Sequence, residues 1–299
     1  MNRGAGRELA GFLLALAGLL VCAPARAAGR AECSAVPSKI LARPVPYCVL
    51  LPPSYDAQNV RRFPVVYFLH GIGENEQVLL NSGGWDAIQD LWEQKQLGEF
   101  VLAAPAGGRT FFINSRDGKV RYQDFLMREF LPYIESRYRI LGLRRTRGIA
   151  GISMGGYGAL RLALLFPHTF GAVSANSPAL IAELPHMKAT QGESSLLARL
   201  LGSAFGVPFD SAFWYRESPF TIVRDSSRPA GLQIYYDCGT EDSYGFNAGA
   251  QAFDRLLVSR GIRHEFHLYP GSHDWTYFAQ HFPASLEFQS DAFGITPKK

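Results

Sequence analysis

Short apolar runs separated by stretches of mixed polarity set the plan of the chain. Residues 63–69 and 100–104 carry no charge and predict strands buried on both faces. Residues 148–153, 170–174, 232–236 and 264–269 predict four more, and 38–41 and 47–51 predict a pair joined by a turn around Arg43 and Pro44. Between them the apolar period lengthens to that of a helix. It does so over 85–96, over 122–138 with Phe125, Leu126, Phe130, Leu131 and Ile134 on one stripe, and over 159–166 and 247–259. A terminal helix over 275–288 is expected to be interrupted at Pro283. Strands alternating with helices predict an α/β fold whose mostly parallel central sheet has helices on both faces. Residues 180–228 break the alternation: a helix over 194–201 stands among aromatics and prolines, with no clean strand, which reads as a cap-like insertion. No linker divides residues 28–299, so they are expected to form one domain.

Composition changes this picture little. The 299 residues are 47% hydrophobic and 19% charged, as in a globular protein. The formal charge is +4, and the first 27 residues, with Arg3, Arg7 and Arg26 against Glu8, account for two of those charges. The remainder gives no reason to expect nucleic acid or an anionic membrane as a partner. The N-terminus does add something. A basic start, an apolar run over 9–21 and Ala25-Arg26-Ala27 make a secretory leader over 1–27, so the mature chain is expected to begin at Ala28, to be periplasmic or secreted, and to keep no stable membrane span. Export permits disulfides. Cys33 and Cys48 lie in neighbouring extended segments and could pair, which leaves Cys238 as the odd, buried thiol.

The chemistry centres on Gly151-Ile152-Ser153-Met154-Gly155, between a predicted strand and a predicted helix. This is the setting of the nucleophile elbow of an α/β-hydrolase: a turn too tight for a Cβ on either side of the serine. A serine hydroxyl needs a base, and the base an orienting acid, which in this fold follow in the order nucleophile, acid, base. His273, in a short turn after the last strand, is the best-placed base. His264 and His267 fall inside the strand, His168 beyond the elbow helix, His186 in the insertion, and His281 is expected on a helix surface. The acid should follow the strand 232–236, where Asp237, Glu241 and Asp242 crowd together; Asp242, past the Gly239 turn, is preferred and the other two stay open. Two backbone N–H groups should face the developing oxyanion: that of Met154, after the serine, and that of Ile72, in the loop His70-Gly71-Ile72-Gly73. His70 is expected to orient that loop. Trp85, Trp214 and Trp275 are the candidate substrate contacts, with Phe111, Phe112 and Tyr215 as further aromatics that could line a pocket.

Taken together, Leu69-His70-Gly71-x-Gly73, the run from Gly151 through Ser153-Met154-Gly155-Gly156-Tyr157 to Leu160, Asp237-x-Gly239-x-x-Asp242 and Gly271-Ser272-His273-Asp274-Trp275 resemble the esterase D-like "putative esterase" family. That group includes S-formylglutathione hydrolases, feruloyl and acetylxylan esterases, and mycolyltransferases. The resemblance runs from about Ser38 to Phe288. It implies an α/β-hydrolase fold, Ser153 as nucleophile, His273 as base, Asp242 as acid, Met154 and Ile72 as oxyanion donors, and no metal or organic cofactor. The expected activity is hydrolysis of a small-molecule or carbohydrate-linked ester through an acyl-enzyme. The rivals are acyl transfer to an alcohol, as in a mycolyltransferase, and a non-catalytic hydrolase-like binding protein.

Overall fold

The computed structural model describes residues 28–184, 196–225 and 230–297. The leader over 1–27, His186 and parts of the insertion lie outside them. Eight strands form one sheet: β1 (Arg30–Ser38), β2 (Arg43–Leu51), β3 (Val65–Leu69), β4 (Val101–Pro105), β5 (Arg147–Ile152), β6 (Ala172–Asn176), β7 (Gln233–Gly239) and β8 (Glu265–Tyr269). Their spatial order is β1-β2-β4-β3-β5-β6-β7-β8. The pairs β1–β2 and β2–β4 are antiparallel and the rest are parallel. This is the α/β-hydrolase arrangement.

The helices are α1 (Val78–Asn81), α2 (Gly84–Glu93), α3 (Tyr122–Phe125), α4 (Leu131–Arg137), α5 (Met154–Leu165), α6 (Leu196–Phe205), α7 (Ser211–Glu217), α8 (Pro219–Asp225), α9 (Phe246–Ser259) and α10 (Trp275–Phe293). A π-helical turn, Leu126–Phe130, joins α3 to α4, so the single helix expected over 122–138 is nearly realised. The period-2 geometry of a strand divides the apolar residues of β3 between two cores. Val65, Tyr67 and Leu69 belong to the core that includes residues of α3–α9, while Val66 and Phe68 belong to the one that includes residues of α1, α2 and α10. A run read as buried on both faces is so because it serves both.

The structure corrects two elements. The first strand ends where it was expected to begin, at Ser38. Residues 39–42 form the turn instead, because the Glu129 carboxylate accepts the N–H groups of Lys39 (3.0 Å) and Ile40 (3.2 Å), and Ser38 Oγ accepts that of Leu41 (2.9 Å). Arg43 and Pro44 accordingly fall inside β2. The terminal helix runs through Pro283 without a break. The proline leaves the carbonyl of Ala279 without its helical donor. Ala279 is exposed, so water can serve it, while buried Phe282, Leu286 and Gln289 hold the helix on the sheet from either side of the proline. Cys33 and Cys48 face each other across β1 and β2 and are joined by a disulfide; Cys238 is free and buried. Among the described residues no helix is long and apolar enough to cross a membrane.

Candidate active site

Ser153 stands between β5 and α5 with φ 53° and ψ −117°, a backbone conformation that non-glycine residues seldom hold without support. The support is local. Ser153 N–H donates to Asn176 O (3.0 Å), and its carbonyl accepts from Ala179 N (3.0 Å). A Cβ on Gly155 would strike the carbonyl of Leu69, and one on Gly151 would strike the backbone of Gly155. The two flanking glycines are therefore what lets helix and strands close around the serine.

The loops after β7 and β8 bring the other two groups. They are laced together: Thr240 N–H donates to Tyr269 O (2.8 Å) and Glu241 N–H to Gly271 O (3.0 Å). His273 Nε2 lies 2.8 Å from Ser153 Oγ, and His273 Nδ1 lies 2.7 Å from Asp242 Oδ2. The other Asp242 oxygen accepts the N–H groups of Tyr244 (3.0 Å) and Phe246 (3.3 Å). Burial would raise the Asp242 carboxyl, but the bond to His273, its charge and these two N–H groups outweigh burial and hold it below the usual carboxylate range. The imidazole is packed edge-on among Tyr244, Phe246 and Phe278, with ring centroids 4.9, 5.3 and 5.3 Å away. The segment 242–246 thus holds the acid and walls the base at once. Nothing in the sequence reading singled out Tyr244 and Phe246; their place directly after Asp242 was the available signal.

The other acid candidates stand apart. Glu241 is exposed. Asp237 is fully buried and accepts from Tyr277 Oη (2.7 Å), Asn176 Nδ2 (2.7 Å) and Tyr235 Oη (3.0 Å). Asp274, beside the histidine, caps α10 by accepting from Tyr277 N (3.0 Å). His281 is not on the surface as expected: it is buried and stacks on Tyr269 at 4.2 Å, and burial lowers its pKa.

In the loop after β3, Gly71 approaches Ser153 so closely that a Cβ there would lie 3.6 Å from Ser153 Cβ. Glu74 N–H donates to Gly71 O (3.3 Å), and Gly73 between them has φ +84°, which makes residues 71–74 a tight turn of the kind that needs glycine at its third position. His70 is buried, accepts Gly107 N–H at Nε2 (2.8 Å) and donates from Nδ1 to Gly71 O (2.7 Å); burial lowers its pKa, so it is a neutral brace for the loop. Met154 heads α5, where helix N–H groups have no intrahelical acceptor. Ile72, Met154 and Ser153 all border one cavity of about 540 Å3. Its walls are mainly apolar: Phe111, Leu180, Leu201, Trp214, Phe246 and Ala252 among them. Of the three tryptophans expected against substrate, only Trp214 lines this cavity. Trp85 packs on Trp92 at 5.8 Å under the other face of the sheet, and Trp275 turns to Glu74, with Nε1 2.9 Å from its Oε1. Phe112 meets the His70 ring edge-on, with centroids 5.6 Å apart, and Tyr215 is exposed. Among the described residues no cluster of His, Cys, Asp or Glu is arranged to hold a metal ion.

The family described as "Putative esterase" matches residues 38–288. The chain belongs to that family. Its relatives include an esterase of Mycobacterium tuberculosis, 28% identical over 246 residues, which cover 75% of this chain and 51% of that protein. The chain thus spans about half the length of that relative. An S-formylglutathione hydrolase of Paracoccus denitrificans is 23% identical over 83% of this chain and 88% of its own. Among solved structures, a ferulic acid esterase superposes with a TM-score of 0.76 at 27% identity, over 89% of this chain and 99% of the other. The family match begins at the end of β1 and runs into α10, so it takes in every loop that borders Ser153.

Proposed function

We propose that the protein is an exported serine esterase that cleaves carboxylic esters through an acyl-enzyme. The observation that carries this reading is the relay of Ser153 Oγ, His273 and Asp242 at 2.8 and 2.7 Å, seated on a strained elbow beside an apolar cavity. Ser153 Oγ attacks the ester carbonyl as His273 Nε2 takes its proton; Asp242 keeps the imidazole in the right tautomer and stabilises the imidazolium. The N–H groups of Met154 and Ile72 receive the oxyanion. His273 returns the proton to the departing alcohol, then draws one from water, whose attack frees the acid and restores Ser153. The cavity walls suit an apolar acyl group, and the esterases among the relatives support an ester as the substrate class. The leader over 1–27 and the Cys33–Cys48 disulfide support export.

Ser153→Ala should lower cleavage of p-nitrophenyl butyrate by about 10⁴-fold or more while leaving the circular dichroism spectrum unchanged. A fluorophosphonate should label the wild type and not the variant, and exported protein should begin at Ala28. Activity retained in the variant would overturn the nucleophile assignment, and a retained leader would overturn the cleavage site.

A further inference from the structure

Glu74 has no part in the relay, yet it sits among the loops that build it. Its carboxylate is half-buried and each oxygen is engaged. Oε2 accepts the Gly71 N–H at 2.7 Å, and Oε1 accepts the indole N–H of Trp275 at 2.9 Å. The two donors are 204 positions apart in sequence. Gly71 opens the turn that carries the Ile72 N–H. Trp275 begins α10, two residues after His273, and packs against Phe278 at 5.7 Å; Phe278 in turn meets the His273 ring at 5.3 Å. The carboxylate therefore spans the gap between the loop after β3 and the loop after β8.

Several details mark this as a fitted position. A Cβ on Gly71 would come within 2.9 Å of Glu74 Oε2, so the glycine is the partner that lets the carboxylate in. With its own N–H donated to Gly71 O, Glu74 closes the turn by both backbone and side chain. Gly71 N–H and Gly71 O are both taken, the carbonyl by His70 Nδ1 as well, and Ile72, the next residue of the turn, borders the cavity that holds Ser153. Burial pushes the Glu74 carboxyl above its usual range, against the pull of its two N–H donors and of His273. A half-buried carboxylate is costly unless its oxygens are matched by donors, as they are here.

We infer that Glu74 is a positioning residue, whose carboxylate ties the turn bearing the Ile72 N–H to the loop bearing His273 and so holds oxyanion donor and base in register. This rests on the esterase reading above. Displacements of about 1 Å in such a constellation can cost on the order of a hundredfold in rate. The contact is also of the kind whose worth shows in the transition state, when the oxyanion and the imidazolium exist together.

Steady-state kinetics with p-nitrophenyl butyrate on the full chain tests it, using Glu74→Gln, Trp275→Phe and the double variant. Glutamine keeps the size of the side chain but can accept only one of the two bonds, since its amide NH2 would face the other donor. Phenylalanine removes the indole N–H alone. Each single variant should lose about tenfold to a hundredfold in kcat with KM within about twofold, and the double variant should be no slower than the worse single, because both cut one bridge. An unchanged kcat, a loss confined to KM, or losses that multiply in the double variant would each overturn the inference. Trp275→Phe approaches the bridge from the far side, so the test survives if Glu74→Gln fails to fold. Ser153→Ala serves as the control: if it remains active, the esterase reading itself has failed, whereas an inactive Ser153→Ala with a fully active Glu74→Gln defeats only the role of Glu74.

Discussion

Asp237 and Asp242 lie five residues apart on one strand-and-loop unit, and their carboxyl groups are displaced in opposite directions. Asp242 is held low by His273 and two backbone N–H groups, despite burial. Asp237 is pushed up to about 6, because burial outweighs its bonds to Tyr277, Tyr235 and Asn176. The consequences for stability have opposite signs. What Asp242 contributes is present above the ordinary carboxylate range and is lost as pH falls through its depressed folded value. What Asp237 contributes is present below its ordinary value of 3.8 and is lost as pH rises through about 6. The unfolding free energy of the wild type, measured relative to Asp237→Asn, should therefore rise by about 2–3 kcal/mol as pH falls from 7 to 4. A difference that stays flat over that range would refute the assignment. This pair also shows what one chain position can and cannot tell. Three acids were in reach of the histidine by sequence; which one meets it depends on how the loops after β7 and β8 are laced, and that pairing is not local. That Ser153 and His273 come together was legible because each follows a strand in a short turn whose glycines record the backbone it needs.

Helices and strands were legible where burial is complete, since apolar runs and helical stripes reflect the core directly. The misreadings sit at positions where a distant side chain decides. Glu129, about ninety residues away, converts 39–42 into a turn, and packing on both sides of Pro283 carries α10 through a residue that would stop an isolated helix. Trp85 was misplaced for a related reason: the pattern showed an amphipathic helix but not which face of the sheet it would cover. A contact between elements also joins the insertion to the elbow. Arg161 of α5 is buried, pairs with Glu217 at the end of α7 and donates to Gln123 Oε1 (2.7 Å), while Tyr157 Oη donates to Glu217 O (2.8 Å). Trp214, on the same short helix as Glu217, forms part of the cavity wall. Glu217→Gln leaves the buried guanidinium without its counter-charge and should cost about 3 kcal/mol in chemical denaturation. It should also raise KM for long acyl esters more than for acetyl esters, as the wall loosens. Equal stability in urea would show that the pair holds nothing.

At the scale of the molecule, the groups proposed to react are spread across the sheet: Ile72 after β3, Ser153 after β5, Asp242 after β7 and His273 after β8. Three of these strands lie within the sheet, but β8 is an edge, paired only to β7, and its residues are partly exposed where those of β5 are nearly all buried. Proteins open first where few apolar contacts hold them. Heat or denaturant should thus uncouple function from form in two stages. The midpoint for loss of ester cleavage should come below the midpoint for loss of ellipticity, and amide exchange at β8 should outrun that at β5; coincident midpoints and equal exchange would contradict this. The fraying margin of the sheet would then act as the fuse of the enzyme, blowing reversibly while the serine and its elbow remain folded.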